Sequence, residues 1–171
     1  MIGFDSDISS LKATLNVCKY AVGERINVIY GLISEQSLQT TTLEEAFVQT
    51  RQTLHASGAT GELGTATYAN LDTVAKDTPI YAIDDLFSGE LVPDNVLIKC
   101  DIKGAELFAM RGAKNFLLKH QPAMLISVHP DILPVFNCSV EGVRAFLTEI
   151  GYLISVIDID HEEHWWCMPE E

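Results

Sequence analysis

The stretch Ile98-Lys-Cys-Asp-Ile-Lys-Gly-Ala-Glu106 joins a predicted strand to a predicted helix. The apolar run from Val96 to Cys100 predicts a buried strand. Small and apolar residues at helical spacing predict a helix from Gly104 to Leu118. Asp101 therefore lies at the carboxyl end of a strand, which is the edge of a sheet where α/β proteins bind their ligands.

The rest of the chain alternates strands and helices. A strand stub at Met1–Phe4, a helix from Ile8 to Val22 and a strand from Ile26 to Ile33 predict a βαβ unit. We predict a three-layer α/β sandwich, mostly parallel, whose last two strands form an antiparallel hairpin and whose helix after Ser139 is capped by that residue. Other predicted elements are strands at Pro79–Ile83, Ala123–Val128, Tyr152–Ile159 and His164–Met168, and a helix at Leu43–His55.

Two residue patterns resemble ligand-binding motifs, but their sequence context argues against a ligand at either one. Ser57–Gly64 has glycines at G-x-x-G-x-x-G spacing, but no clear strand precedes it, so we interpret it as a surface loop. His161-x-x-His164-x-x-Cys167 resembles a metal-binding spacing, but strand alternation sends the last two side chains to opposite faces, so we expect no metal there. We expect Trp165 and Trp166 to cover the edge of the sheet.

The length, net charge and cysteine content of the chain limit the classes of protein to which it can belong. The 171 residues predict a single domain, and the formal net charge of −13 argues against a nucleic-acid partner. No apolar run is long enough to span a bilayer, and no signal peptide is evident. The four cysteines form no C-x-x-C pair, which favours free thiols in a cytoplasmic protein.

The opening stretch and its flanking blocks resemble the FkbM family of S-adenosylmethionine-dependent methyltransferases. That family carries the signature I-K-[IV]-D-[VI]-E-G-[AS]-E, against which residues 98–106 differ chiefly by Lys103 in place of the glutamate. The other similar blocks are Phe4-Asp-Ser-Asp7, Ile80-Tyr-Ala-Ile-Asp-Asp-Leu86, Met110-Arg-Gly-Ala113 and the strand from Pro122 to His129.

The resemblance implies a Rossmann-like fold and S-adenosylmethionine as cofactor. The family's first strand and Gly-rich cofactor loop have no counterpart here, so residues 1–171 would be a partial methyltransferase domain with a variable insertion at about 35–77. It also implies roles for two carboxylates. Asp5 would bind the cofactor ribose, cap the following helix, or do both. Asp101 would bind the cofactor or acceptor or take up a proton, or else cap its own helix.

Two further residues are candidates for catalysis. His129 ends a predicted strand and could act as general base, although a histidine before proline is as often a turn residue. Glu106 lies in the first helical turn, where a carboxylate also suits the helix dipole.

The resemblance implies methyl transfer to an oxygen of a small molecule, sugar or lipid. The alternative is an inactive remnant or interaction domain, with a possible homodimer formed through the edge left by the missing strand.

Overall fold

The computed structural model describes residues 1–21, 26–58 and 77–170, without the side chains of residues 18–21. The chain divides into two units, Met1–Tyr81 and Ala82–Glu171, which are taken in turn. Both contain helices and parallel strand pairs, so the predicted α/β class is confirmed.

The first unit begins with the predicted βαβ arrangement. Strand β1 (Ile2–Asp5), helix α1 (Ile8–Ala21) and strand β2 (Asn27–Tyr30) follow one another, and β1 and β2 pair in parallel. The carboxylate of Asp7 accepts a hydrogen bond from Ser10 N at 2.6 Å, which caps α1. Buried Leu11, Ile26 and Val28 form one core cluster of this unit, with Leu15, Tyr30 and Leu54 packed against them.

The predicted strand Ile26–Ile33 is divided at Gly31. Beyond it, β3 (Leu32–Ile33) pairs in parallel with β4 (Ile80–Tyr81) rather than with β1. A Cβ at Gly31 would lie 2.6 Å from the Tyr81 ring and 2.9 Å from the carbonyl oxygen of Pro79. Only glycine therefore allows the chain to pass from one strand pair to the other at this position.

Helix α2 (Leu43–Ala56) confirms the predicted helix in the variable segment. Thr42 and Glu45 form a capping box at its start. The Thr50 hydroxyl accepts a hydrogen bond from Tyr30 N at 2.9 Å, which fastens the helix to β2. The glycine-spaced loop from Ser57 to Gly64 lies outside the described residues from position 59 onward.

The second unit is built on a sheet of four strands in the order β5-β6-β8-β7. Strands β5 (Leu97–Cys100) and β6 (Ala123–Val128) are parallel, and β7 (Tyr152–Ile159) and β8 (Glu163–Pro169) form the predicted antiparallel hairpin. Because β8 lies between β6 and β7, the two tryptophans do not cover a sheet edge as predicted. Trp165 is fully buried, and Trp166 is half-buried on the other face of the strand.

One predicted helix of the second unit is two helices. The chain from Gly104 to Leu118 forms α4 (Glu106–Arg111) and α5 (Lys114–His120), after the single turn α3 (Ile83–Leu86). The Asp84 carboxylate accepts hydrogen bonds from the backbone N–H groups of Asn115 and Phe116 at 3.0 and 2.8 Å. This cap begins a new helix at α5, although Asp84 itself lies in α3.

Two further helices belong to the second unit. A 3-10 helix (Leu133–Phe136) follows β6, and α6 (Val140–Glu149) is capped by Ser139 as predicted, since its hydroxyl accepts a hydrogen bond from Gly142 N at 3.0 Å. None of the helices in the described segments has the length and hydropathy that crossing a bilayer requires.

Candidate active site

The carboxyl ends of β5 and β6 bring two of the predicted residues together. Asp101 follows β5 and His129 follows β6, and the strands are parallel neighbours. Asp101 Oδ1 lies 3.5 Å from His129 Nε2. The expectation that polar residues gather at this edge of the sheet holds for this pair.

Glu106, the third predicted residue, lies behind the histidine. It is fully buried, and its Oε1 lies 2.8 Å from His129 Nδ1 and accepts a hydrogen bond from Gly104 N at 3.0 Å. An ionised carboxylate only accepts, so Nδ1 carries the proton and Nε2 of a neutral ring keeps its lone pair. Glu106 thus fixes both the orientation and the tautomer of His129.

The turn between β5 and α4 has a left-handed backbone at two consecutive residues. Lys103 has φ 53° and Gly104 has φ 98°. A Cβ at Gly104 would lie 2.7 Å from Ile132 Cγ2 and 3.0 Å from the Phe136 ring, so the site requires glycine there. The turn places the Lys103 side chain beside His129.

Lys103, which stands where the resembling family has glutamate, contacts the histidine directly. Its Nζ lies 2.9 Å from His129 Nε2 and 3.5 Å from Asp101 Oδ1. An ammonium only donates, so the contact matches an Nε2 lone pair. Uptake of a proton at Nε2 would replace this donor–acceptor contact with repulsion between two cations and attraction to the carboxylates.

Glu162 also contacts His129, and no sequence pattern had singled it out. Its Oε2 contacts His129 Nε2, and it is 7% exposed. The pairing of Val128 with Glu163 sets Glu162 opposite His129 in the next position of the ladder. Only the register of the hairpin could have identified this residue, because by itself it belongs to a polar turn.

A second chain of polar contacts runs along the same edge. Lys99 Nζ donates to Ser127 Oγ at 2.8 Å, and Ser127 Oγ lies 3.2 Å from His164 Nδ1. Lys99 Nζ also lies 3.6 Å from Asp101 Oδ2. Asp101 therefore has a lysine ammonium beside each of its two carboxylate oxygens.

The side chains of the site differ in their exposure to solvent, and this difference indicates which of them a ligand contacts first. The His129 side chain is 3% exposed, whereas those of Asp101 and Lys103 are 38% and 39% exposed. Asp101 and Lys103 form the rim that a ligand meets first, and the histidine lies beneath them. The arrangement can bind a hydroxyl group at the rim and accept its proton at Nε2.

Asp5 belongs to the first unit and has a local setting. It ends β1, and its Oδ1 accepts a hydrogen bond from Asp7 N at 2.9 Å. Burial raises the pKa of Asp5, and the backbone N–H groups of Asp7 and Ser6 oppose that effect. Because Asp7 is the cap of α1, the alternative of Asp5 as the helix cap is wrong.

The other expectations for this region have mixed outcomes. The described contacts of the Asp101 carboxylate are with Lys99, Lys103 and His129, and they give no support to the alternative of Asp101 as a helix cap. Within the sequence His161-x-x-His164-x-x-Cys167, the two end residues have different surroundings. Cys167 is fully buried, and burial raises its pKa to about 12, whereas the His161 side chain is 68% exposed. Among the described cysteines, Cys100, Cys138 and Cys167 form no disulfide, which agrees with the predicted thiols.

Comparisons with known proteins give one match to a family and one to a solved structure. The sequence model of the methyltransferase FkbM domain matches residues 7–154. The structure resembles that of a methyltransferase FkbM from Methylobacillus flagellatus KT with a TM-score of 0.46 and 17% identity, over 97% of this chain and 42% of that one. The chain thus spans less than half of that protein's length, and no curated protein matches it.

Proposed function

We propose, because the chain belongs to the methyltransferase FkbM family, that it transfers a methyl group from S-adenosylmethionine to an oxygen of a small molecule, sugar or lipid. The observation that carries the choice of oxygen is the buried pair of Glu106 and His129 beneath Asp101. A hydroxyl acceptor must lose a proton, and a histidine whose ring is oriented by Glu106 is suited to take it at Nε2.

Asp5 is the residue that we propose for the cofactor. S-adenosylmethionine supplies an electrophilic methyl group on a sulfonium sulfur. A carboxylate has about four acceptor positions, so Asp5 can bind ribose hydroxyls while it accepts from Asp7 N. Its place at the end of a parallel strand suits this role, because ligands of α/β sheets bind at that edge.

We assign the acceptor to the rim of the site in the second unit. Asp101 would accept a hydrogen bond from the acceptor hydroxyl, and His129 Nε2 would take its proton as the oxygen becomes nucleophilic. Lys103 leaves Nε2 when the ring is protonated, and its ammonium, still near Asp101, faces the developing negative charge. In this arrangement the lysine at position 103 stabilises charge on the acceptor oxygen.

Replacement of Asp101 by asparagine tests the acceptor role. Asp101→Asn keeps the shape but removes a charged acceptor at the rim, and a hydrogen bond to a charged group contributes ~1.5–3 kcal/mol. We expect kcat/KM, measured as S-adenosylhomocysteine formed with a panel of hydroxyl acceptors, to fall ~10–100-fold.

The matched control for this experiment is Asp131→Asn, at an exposed carboxylate of the same unit. It should leave turnover at the wild-type value. Equal turnover by Asp101→Asn and wild type would remove Asp101 from the site.

A further inference from the structure

Three groups of the kind that bind metal ions converge at the rim and floor of the site. Asp101, His129 and Glu162 each offer one ligand atom, and these atoms lie within 4.8 Å of one another. They come from the ends of two parallel strands and from the turn of the hairpin, so the sheet itself holds them in place. None of the three belongs to the set His161, His164 and Cys167 that the sequence suggested.

Glu106 gives the histidine the orientation that metal-bound histidines have. Metal-ligating histidines almost always donate their other ring N–H to a carboxylate or carbonyl, which fixes the tautomer and raises the basicity of the ligand nitrogen. The 2.8 Å contact between His129 Nδ1 and Glu106 Oε1 matches that arrangement. This contact directs Nε2 toward the carboxylates of Asp101 and Glu162.

Glu162 supplies a second, independent sign of a cation. The residue is 7% exposed, and its Oε2 receives no hydrogen bond from the part of the chain that the structure describes. A buried carboxylate oxygen without a hydrogen-bond donor is costly unless a cation compensates it, and here the Lys103 ammonium stands 3.8 Å away, beyond hydrogen-bond distance. The atom points to His129 Nε2, which is the centre of the cluster.

Lys103 marks the position that a cation would take. Its Nζ lies 2.9 Å from His129, 3.5 Å from Asp101 and 3.8 Å from Glu162, so an ammonium already stands among all three ligands. The side chain is 39% exposed, and a lysine side chain has the freedom to turn outward. A divalent ion carries twice the charge and can coordinate Nε2 directly.

We infer that Asp101, His129 and Glu162 form a binding site for Zn²⁺, which displaces the Lys103 ammonium on binding. One imidazole and two carboxylates suit a borderline-soft ion, and three protein ligands leave a coordination position open. The bound ion would occupy the Nε2 lone pair that the proposed function needs, so Zn²⁺ would inhibit methyl transfer. Only this last consequence rests on the proposed function.

The test is calorimetric titration of the full chain with ZnCl₂, without cofactor or acceptor. We expect one ion per chain, with affinity lowered at least about tenfold in Asp101→Asn and Glu162→Gln and lowered ~10–100-fold in Glu106→Gln, which keeps the ligands but alters the group behind His129. Lys103→Met should bind more tightly than wild type, because the competing ammonium is gone. Circular dichroism checks that each variant is folded, and Asp101→Asn alters only a rim residue.

Two control variants cover other groups that bind zinc and do not contact the three ligands. His161→Gln and Cys138→Ser should keep the wild-type affinity. The absence of binding by wild type, unchanged affinity in Asp101→Asn, or loss of binding in one of these controls would each overturn the proposal. The last result would assign the ion to a surface histidine or to a thiol instead. None of these outcomes depends on methyl transfer, so failure of the zinc site and failure of the proposed function are separate results.

Discussion

His129→Gln is expected to lower kcat for methyl transfer by ~10²–10⁴-fold, which is the usual contribution of a positioned general base. Glutamine keeps a polar amide near the position of Nε2, but it cannot take a proton there. The Glu106 carboxylate keeps its hydrogen bond from Gly104 N, and we expect the folded state to persist. The measurement is S-adenosylhomocysteine formation at saturating acceptor.

The control for this variant is His161→Gln, which alters a histidine with a 68% exposed side chain in the same unit. It should match wild type in turnover. Affinity for S-adenosylmethionine should be unchanged in both variants, because the proposed cofactor residue lies in the first unit. A His129→Gln protein that turns over as fast as wild type would contradict the assignment of His129 as base.

Trp165→Ala is expected to lower the free energy of unfolding by ~3–5 kcal/mol, the range for removal of a large buried aromatic side chain. Trp165 is fully buried on β8, the strand that lies between β6 and β7. The Arg144 guanidinium lies over its ring, 4.4 Å from the ring centroid, and its Nε1 donates a hydrogen bond to Glu163 Oε2 at 2.9 Å. Urea denaturation followed by circular dichroism measures the loss.

Trp166→Ala is the matched control for that prediction. Trp166 follows Trp165 on the same strand, points to the other face and is only half-buried, so we expect a smaller loss. Equal losses for the two variants would contradict the burial that separates them. A loss at Trp166 alone would mean that the faces of β8 are reversed.

The part of the site that follows from strand ends could be predicted from the sequence. Asp101 and His129 each come directly after an apolar run, and parallel neighbours bring such positions together without knowledge of any other contact. The position of Glu106 in the first helical turn makes it a candidate from the sequence alone. Its burial and its hydrogen bond to His129 depend on the left-handed turn at Lys103 and Gly104. The roles of all three in catalysis stay predictions, as do the cytoplasmic location and the homodimer.

The features that the sequence did not predict depend on tertiary contacts. Glu162 reaches His129 only through the register of β6 and β8. The helix predicted over Gly104–Leu118 divides because Asp84, from a distant turn, caps α5. The strand predicted over Ile26–Ile33 divides because Gly31 passes close to Tyr81. Periodicity within one segment carries no information about such partners.

The most direct test of the account is calorimetric titration of this chain with S-adenosylmethionine, for wild type, Asp5→Asn and His129→Gln. The account predicts binding by wild type and by His129→Gln with similar affinity. It predicts ~10–100-fold weaker binding by Asp5→Asn, because a charge-assisted hydrogen bond to the ribose is lost. The absence of binding by wild type would contradict the proposed methyl transfer by this chain, and equal binding by Asp5→Asn would contradict the cofactor role of Asp5.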